Sequence, residues 1–272
     1  MQRPDWAPAG IDTDRPSTAR IYDYLLGGSH NFAVDRELAR RGITEMPELP
    51  ALAHANRAFL LRAVRFLLDA GIRQFLDIGS GIPTRGNVHE VAQRVNPDAR
   101  VMYVDIDPVA VAHSQAILAG NDKAGVISGD LRRPDAILDH PDLHALLDLD
   151  QPVALLLLAV LHFIPDTDDP GGIIARLRDR LAPGSFLTIS HWTVEGRPEE
   201  WERARELSKQ VPVPPTPRTR AEVERLFAGF DLVEPGIVWL AQWRPDRHPD
   251  FARELNEHPE RSGNYAGVGR KP

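Results

Sequence analysis

The sequence predicts an α/β protein built on a doubly wound, mostly parallel sheet of about seven strands. From residue 74 onward, short apolar segments alternate with helical segments, which is the pattern of a parallel sheet covered by helices on both faces. The first apolar segment runs into a glycine-rich turn, and the second ends in a pair of acids. Near the C-terminus, residues 230–239 predict two strands joined by a Pro-Gly turn, so a terminal hairpin would make the sheet mixed.

The first element of this unit is a helix predicted over residues 51–68. Its apolar residues recur at helical spacing and form one stripe, and Gly71 supplies a stop signal. Three arginines fall largely off that stripe and predict a solvated face rather than an anion site: Arg57, Arg62 and Arg65.

Strand and helix signals then alternate along the chain. The predicted strands are 74–78, 101–105, 125–128, 153–158 and 185–190. The helices predicted between them are 85–94, 108–118, 133–138 and 172–181. Residues 1–50 and about 193–225 fit no sheet position. We expect residues 1–50 to form a helical cover over the crevice at the strand ends, and 193–225 to form a lid on the single unit of residues 51–272.

Composition narrows the class of protein. A net charge of −7 and a pI of about 5.8 argue against nucleic acid as a partner. The absence of cysteine excludes disulfides, thiolate metal sites and a cysteine nucleophile, and no other metal-ligand spacing is evident. The longest apolar run, 153–164, is too short to cross a membrane, and residues 1–10 lack the apolar core of a signal peptide. We therefore expect a cytoplasmic protein, while its oligomeric state is not indicated.

The glycine turn predicts a nucleotide-type cofactor. Asp77, Gly79 and Gly81 follow the first strand, and Asp105 ends the second. In such units the glycines let the backbone approach the ligand, and the acid accepts hydrogen bonds from ribose hydroxyls. Asp107 stands immediately before Pro108, so it either caps the next helix or forms a wall of the adenine pocket.

Together with two later segments, these motifs resemble the landmarks of class I S-adenosylmethionine-dependent methyltransferases. The later segments are Gly129-Asp130-Leu131 after the third strand, and Leu-Ala-Val-Leu-His at 158–162 after the fourth. The terminal hairpin is also similar to that fold and is not typical of dehydrogenases. The resemblance implies a Rossmann-like, seven-stranded mixed sheet and S-adenosyl-L-methionine as the cofactor.

The N-terminal segment makes the resemblance narrower. Residues 16–36 read PSTARIYDYLLGGSHNFAVDR, which is similar to an actinobacterial family of S-adenosyl methyltransferases long described only as a domain of unknown function. The turn at 77–84 and the closing GVGRKP at 267–272 match it as well. One departure is Pro83, which stands where a typical turn has glycine and has no N–H to donate to a ligand.

The resemblance implies roles in cofactor binding for the residues at the strand ends. Asp77 would order the turn or bind the cofactor's ammonium group, and Asp105 would bind the ribose diol. Asp130 would accept a hydrogen bond from the adenine amino group, and the Leu131 N–H would face a ring nitrogen. The remaining positions would approach the methionine part, the adenosine or the sulfonium through their backbone: Gly79, Gly81, Ala159 and Val160.

Several residues have two open interpretations. His162 follows the fourth strand and is either a general base toward the acceptor or a wall of the pocket. Tyr22 and Arg20, on the N-terminal segment, either contact the cofactor carboxylate or the acceptor, or serve only to dock that segment. His191 and Trp192, after the fifth strand, are a second candidate acceptor wall.

The function that these features predict is methyl transfer to a small-molecule acceptor by in-line displacement at the sulfonium. The protein would mainly position the two partners and exclude water. Two alternatives stay open. The lack of an evident base is compatible with a non-catalytic protein that binds S-adenosylmethionine or S-adenosylhomocysteine. A nicotinamide-dependent oxidoreductase is disfavoured, because residues 79–84 lack the third glycine of the dinucleotide fingerprint. The sequence does not identify the acceptor.

Overall fold

The computed structural model describes residues 12–83, 86–196, 209, 213–245 and 257–272. Its sheet has eight strands, which are β1 (Gln74–Ile78), β2 (Arg100–Asp105), β3 (Ala124–Ser128), β4 (Val153–Leu158), β5 (Phe186–Trp192), β6 (Asp231–Leu232), β7 (Val238–Trp239) and β8 (Asn264–Arg270). The first five strands are parallel and lie in the order β3-β2-β1-β4-β5. All five were predicted to within two residues at each end, and the doubly wound fold is confirmed.

The C-terminal part of the sheet differs from the prediction in its pairing. β8 lies antiparallel beside β5, and both β6 and β7 pair with the far edge of β8 rather than with each other. The sheet therefore has seven positions across, and two short strands share the last. β8 was not predicted from the sequence, because Gly267 and Gly269 lie within it and glycine has a low strand propensity. A Cβ on Gly267 would lie 2.4 Å from Ile237 Cδ1, so close packing requires glycine there.

Helices cover both faces of the sheet. In the described part of the chain they are α1 (Thr18–Leu25), α2 (Ala33–Glu45), α3 (Leu49–Asp69), α4 (Val88–Val95), α5 (Pro108–Ile117), α6 (Pro134–Leu138), α7 (Pro141–Leu146), α8 (Pro170–Asp179) and α9 (Arg220–Arg225). Apolar side chains of the strands point alternately into two cores, because successive residues of a strand face opposite sides. Phe75 packs with Phe59 and Trp243 on one face, and Leu76 with Ile174 on the other. None of the described helices is long and apolar enough to span a membrane.

The N-terminal helices are held together by a buried ion pair. Arg20 Nε lies 3.0 Å from Asp35 Oδ2, and both side chains are almost inaccessible to solvent. Asp35 also caps α2 by accepting from the Phe32 N–H at 2.8 Å, and it accepts from the Ser17 N–H at 2.9 Å. Arg20 therefore docks α1 against α2, which is the structural one of its two interpretations.

The predicted lid at about 193–225 falls partly outside the described residues. Of this segment, residues 193–196, 209 and 213–225 are described. Thr84 and the predicted helix start at residue 85 also lie outside the described part, and α4 is described from Val88.

Candidate functional site

A cleft of about 470 Å³ lies at the carboxyl ends of the parallel strands. The start of α1 forms part of its wall, beside the turns that follow β1, β2, β3 and β4. All of the residues that the sequence placed at the site line this cleft: Tyr22, Asp77, Gly79, Gly81, Asp105, Asp107, Asp130, Leu131, Ala159, Val160 and His162. We call it the main cleft.

The Asp105 carboxylate can accept further hydrogen bonds from a ligand in the main cleft. Its Oδ2 accepts from the Gly81 N–H at 2.7 Å, and its Oδ1 accepts from the Asp107 N–H at 2.8 Å. The Ile106 N–H also bonds to this carboxylate, and because its two oxygens have four lone pairs, the group keeps capacity to accept from a ligand. A vicinal ribose diol presents two hydroxyl donors at the matching spacing.

Burial raises the pKa of two of the carboxylates that line the main cleft, Asp77 and Asp105. The pKa of Asp77 rises to about 7, chiefly through burial; the nearby Arg57 charge opposes the shift and the Asp105 charge adds to it. The pKa of Asp105 rises to about 6, again chiefly through burial, against its backbone hydrogen bonds. Two carboxylates are therefore held close together, and the nearby Arg57 charge only partly offsets the burial of Asp77, which favours a cationic ligand.

The glycine turn brings the backbone to the edge of the main cleft. Gly79 and Gly81 have φ of +76° and +68°, which side chains rarely adopt. A Cβ on Gly79 would lie 2.4 Å from Val160 Cγ2, so this turn packs directly on the loop after β4. A Cβ on Gly81 would meet nothing within 4 Å and would project into open space.

Asp107 has both oxygens engaged within the protein. Its Oδ1 accepts from the Val109 N–H at 2.7 Å and caps α5, and its Oδ2 accepts from the Ser17 hydroxyl. The carboxylate thus joins the start of α5 to the start of α1. Of the two interpretations of Asp107, the capping role is seen in the structure, and the residue also lines the main cleft.

Asp130 is paired within its own loop. The Arg132 guanidinium holds its carboxylate through both oxygens, at 2.7 to 3.0 Å, and this pair lowers the pKa of Asp130 against the effect of burial. An exposed pair of this kind contributes little stability and can open. Leu131 is buried and presents an apolar surface on the same side of the main cleft.

The loop after β4 is held by a relay of hydrogen bonds that reaches α1. The Ala159 N–H donates to Ser190 Oγ at 2.9 Å, and the Ser190 hydroxyl donates to Asn56 Oδ1 at 2.6 Å. Asn56 Nδ2 donates to the Tyr22 oxygen at 3.0 Å, and the Tyr22 hydroxyl donates to the Ala53 carbonyl at 3.1 Å. Ala159 has φ +53°, which costs energy in a non-glycine residue and is held by these contacts.

This relay bears on the interpretation of Tyr22. Its hydroxyl donates to Ala53 and accepts from Asn56, and burial raises its pKa. The only proton of the hydroxyl is therefore donated within the protein, which supports the docking role of Tyr22.

His162 is a neutral imidazole at the wall of the main cleft. Burial lowers its pKa well below the ordinary value, and the nearby His191 and Arg218 lower it further. Its Nδ1 is buried with no hydrogen-bond partner in the described part of the chain. A base whose pKa lies far below neutral pH removes protons poorly, but it accepts a hydrogen bond well.

His191 is engaged in structure. Its Nε2 lies 2.8 Å from Arg218 Nη1, and its Nδ1 lies 2.7 Å from the Trp192 carbonyl, so Nδ1 carries the proton. Burial lowers its pKa to about 4. Because the ring is fully buried and lines neither cavity described here, His191 does not form an acceptor wall.

Arg57 is the residue that the sequence pattern misplaced. It was expected on a solvated helix face, yet it lines the main cleft near Asp77 and influences the pKa of that acid. Arg62 is not solvated either, since it donates to the carbonyls of Trp243 and Leu240 at 2.9 Å. A wide apolar stripe makes residues at its border point toward neighbours, and helical spacing alone does not show which ones.

Comparisons with known proteins identify the family of the chain. The sequence profile of a family described as S-adenosyl methyltransferase matches residues 4–272. A DUF574 family protein from Streptomyces avermitilis is 43% identical, with a TM-score of 0.91, and the match covers 96% of this chain and 99% of that one. A candidate methyltransferase from Thermobifida fusca is 44% identical, with a TM-score of 0.90 and coverage of 98% and 99%.

A more distant likeness concerns the fold alone. The N-methyltransferase NodS from Bradyrhizobium japonicum, solved with S-adenosyl-L-homocysteine, is 14% identical with a TM-score of 0.50, over 93% of this chain and 99% of that one. No match was found among curated proteins. The family profile covers nearly the whole sequence, so the chain belongs to the S-adenosyl methyltransferase family and uses S-adenosyl-L-methionine as its cofactor.

Proposed function

We propose that this enzyme transfers a methyl group from S-adenosyl-L-methionine to a small-molecule acceptor by in-line displacement. The observation that carries the proposal is the pair of buried carboxylates, Asp77 and Asp105, at the ends of adjacent strands in one cleft. Both have a raised pKa and face a cavity large enough for a nucleoside. A cation in the main cleft would stabilise both in the ionised form.

The residues of the main cleft suggest how each part of the cofactor is held. Asp77 faces the ammonium group of the cofactor, while Arg57 supplies a positive charge for the cofactor's carboxylate. Asp105, which the Gly81 and Asp107 N–H groups hold in place, accepts hydrogen bonds from the ribose diol. Ile106, which is 60% exposed, and Leu131 offer apolar surfaces for the adenine ring, with Asp130 at its edge.

The chain's own part in the reaction is orientation and exclusion of water. The cofactor supplies a methyl group activated by the positive sulfur. Ala159 and Val160, fixed by the Ser190 relay and by contact with Gly79, form a rigid wall at the end of β4. His162 lies on the same wall and, being neutral, accepts a hydrogen bond from the acceptor's nucleophile. Positioning of this kind contributes several kcal/mol, on the order of 7–11 in favourable cases.

The arrangement of domains follows from the same geometry. We propose residues 1–50 as a cover and about 193–225 as a lid on the unit of residues 51–272. The support is that Ser17 and Thr18 at one end, and Val213 at the other, line the main cleft. Cytoplasmic location and actinobacterial origin stay predictions.

Calorimetric titration with S-adenosylmethionine, S-adenosylhomocysteine and NADH tests cofactor binding. We expect micromolar binding of the first two and none of NADH. Asp105→Ala should weaken binding about 100-fold, because two hydrogen bonds to a charged acceptor are worth about 3 kcal/mol together.

Asp98→Ala is the matched control, since this acid is exposed and paired with Lys123 far from the main cleft. It should bind both ligands as the natural chain does. Binding of NADH alone, or equal binding by Asp105→Ala and the natural chain, would contradict the proposal.

A further inference from the structure

A second cavity of about 260 Å³ lies beside the main cleft, and we call it the apolar pocket. It is enclosed by α1, α2 and the start of α3 on one side, and by the ends of β4 and β5 on the other. The two cavities share one wall, formed by Thr18, Tyr22, Ala159, His162 and Phe163. A molecule in the apolar pocket would therefore meet the main cleft at the end of β4.

The lining of the apolar pocket is chemically unlike that of the main cleft. The three N-terminal helices contribute aliphatic side chains, which include Ile21, Leu25, Leu38, Ala39, Leu49 and Leu52. Among the described lining residues there is no Asp, Glu, Lys or Arg. The few polar groups include the Tyr22 hydroxyl, already used in the relay, and Asn264, whose amide donates to the Ser262 carbonyl at 3.0 Å.

This lining selects against charged ligands. An ion in the apolar pocket would lose its hydration without gaining a partner of opposite charge, and such a loss costs several kcal/mol. An apolar molecule would gain about 25 cal/mol for each Å² that it buries. The faces of Phe163 and Trp192, which also line the pocket, favour a flat ring.

The volume limits the size of the ligand. A cavity of 260 Å³ lies below the range of about 300–1,000 Å³ that is typical of drug-sized ligands. A molecule with one or two rings fits this space. A nucleic acid, a folded protein or a long acyl chain is too large for it.

We infer that the apolar pocket is the acceptor site, and that the acceptor is a small, uncharged, mainly apolar ring compound with one hydroxyl or amine group. The inference rests on the proposed function. The ring would lie among the leucines of α2 and α3, and the nucleophile would point toward Ala159 and His162 on the shared wall. The bond between sulfur and the methyl carbon breaks as the bond from acceptor oxygen or nitrogen to that carbon forms. His162 accepts the nucleophile's hydrogen bond before transfer and thereby orients it; the proton becomes strongly acidic as the new bond forms and is released to water in the main cleft.

The test uses 1-naphthol as the probe, on the full chain saturated with S-adenosylhomocysteine. Naphthol is neutral at pH 7.5, has two rings and carries one hydroxyl. 1-Naphthoate, with the same rings and a negative charge, is the comparison ligand. We expect calorimetry to show naphthol binding at least tenfold tighter than naphthoate binding.

Two variants locate the binding. Ala39→Leu adds bulk to the α2 wall and should weaken naphthol binding at least tenfold, with the S-adenosylhomocysteine affinity unchanged within twofold. Thr44→Leu makes the same side chain on the exposed face of the same helix and should change neither. Leu25→Trp fills the pocket from α1 at a half-buried site and serves if Ala39→Leu fails to fold.

The outcomes separate this inference from the proposed function. Normal binding of S-adenosylhomocysteine without naphthol binding, or equal binding of naphthoate, would overturn the inference and leave the proposed function intact. Naphthol binding that neither filling variant weakens would also overturn it, because the probe would then lie elsewhere. Failure to bind S-adenosylhomocysteine would instead contradict the proposed function.

Discussion

The main cleft and the apolar pocket share a wall but are built in opposite ways. The acidic end of the main cleft comes from residues within a few positions of a strand end: Asp77 lies near the end of β1, Gly81 follows β1, and Asp105 ends β2. The walls of the apolar pocket come from three helices and two distant strands. One region binds a ligand of constant chemistry through local motifs, and the other is shaped by long-range packing.

Specificity for the cofactor and specificity for the acceptor therefore depend on different features of the sequence. A cofactor shared by many enzymes can be recognised by carboxylates and glycines at fixed spacing. An acceptor particular to one enzyme is selected by volume and by the absence of charge, which no short motif encodes. Experiments that change charge should therefore act on the main cleft, and those that change bulk on the apolar pocket.

The largest expected effect is the loss of cofactor affinity at low pH. Binding requires the carboxylates of Asp77 and Asp105 to be ionised, and their pKa values are about 7 and about 6. Affinity should be highest above pH 7 and fall as the pH drops through these values. With both groups protonated at the lower pH, we expect S-adenosylmethionine to bind about 1,000-fold more weakly at pH 5 than at pH 8, measured by calorimetry.

Stability of the empty protein should respond in the opposite direction. A carboxylate with a raised pKa binds its proton more tightly in the folded than in the unfolded state, so stability from Asp77 is lost as the pH rises from about 4 to about 7. Asp77→Asn removes this penalty. In denaturant unfolding the variant should gain about 4 kcal/mol over the natural chain at pH 8, because the pKa of Asp77 lies about 3 above its ordinary value, and lose that advantage near pH 4. An advantage that does not change with pH would contradict the raised pKa.

A second comparison uses the two glycines of the turn. Both have positive φ, so alanine at either position costs about 1–2 kcal/mol of stability. Gly79→Ala also places a Cβ 2.4 Å from Val160 Cγ2 and should cost about 2 kcal/mol more. Gly81→Ala meets no protein atom within 4 Å, and in the proposed binding mode its Cβ extends toward the cofactor. It should weaken S-adenosylmethionine binding at least tenfold.

Each glycine variant is the control for the other. Thermal unfolding of the empty proteins should rank Gly79→Ala as the less stable, whereas the affinity loss at Gly81→Ala should exceed what its stability loss explains. Equal unfolding temperatures together with an unchanged affinity at Gly81→Ala would mean that the turn does not approach the cofactor.

The contrast between local motifs and long-range packing also explains which features could be predicted from the sequence. Strands β1 to β5 and every residue of the acidic end were predictable, because periodicity and turn chemistry are local properties. β8 was not recognised, since the glycines that let it pack on Ile237 and Phe227 weaken its strand signal. Arg57 was misplaced for a related reason: its orientation depends on what packs against α3. The aliphatic walls from α1 and α2 needed the tertiary fold.

The smallest expected effect concerns the relay that joins the two regions. Ser190→Ala removes the donor to Asn56 and one acceptor of the Ala159 N–H, and it should cost about 1–2 kcal/mol of stability.

Thr188→Val is the matched control, two residues away on the same face of β5. The Thr188 hydroxyl is buried without a hydrogen-bond partner among the described residues, so its removal should change stability by less than about 0.5 kcal/mol. Unfolding in denaturant measures both. A loss at Ser190→Ala no larger than at Thr188→Val would mean that Ala159 keeps its left-handed conformation without the relay. In that case the wall shared by the two cavities would be held by the Ala159 N–H bond to the Ser190 carbonyl, at 3.1 Å, and by the packing of Val160 against Gly79.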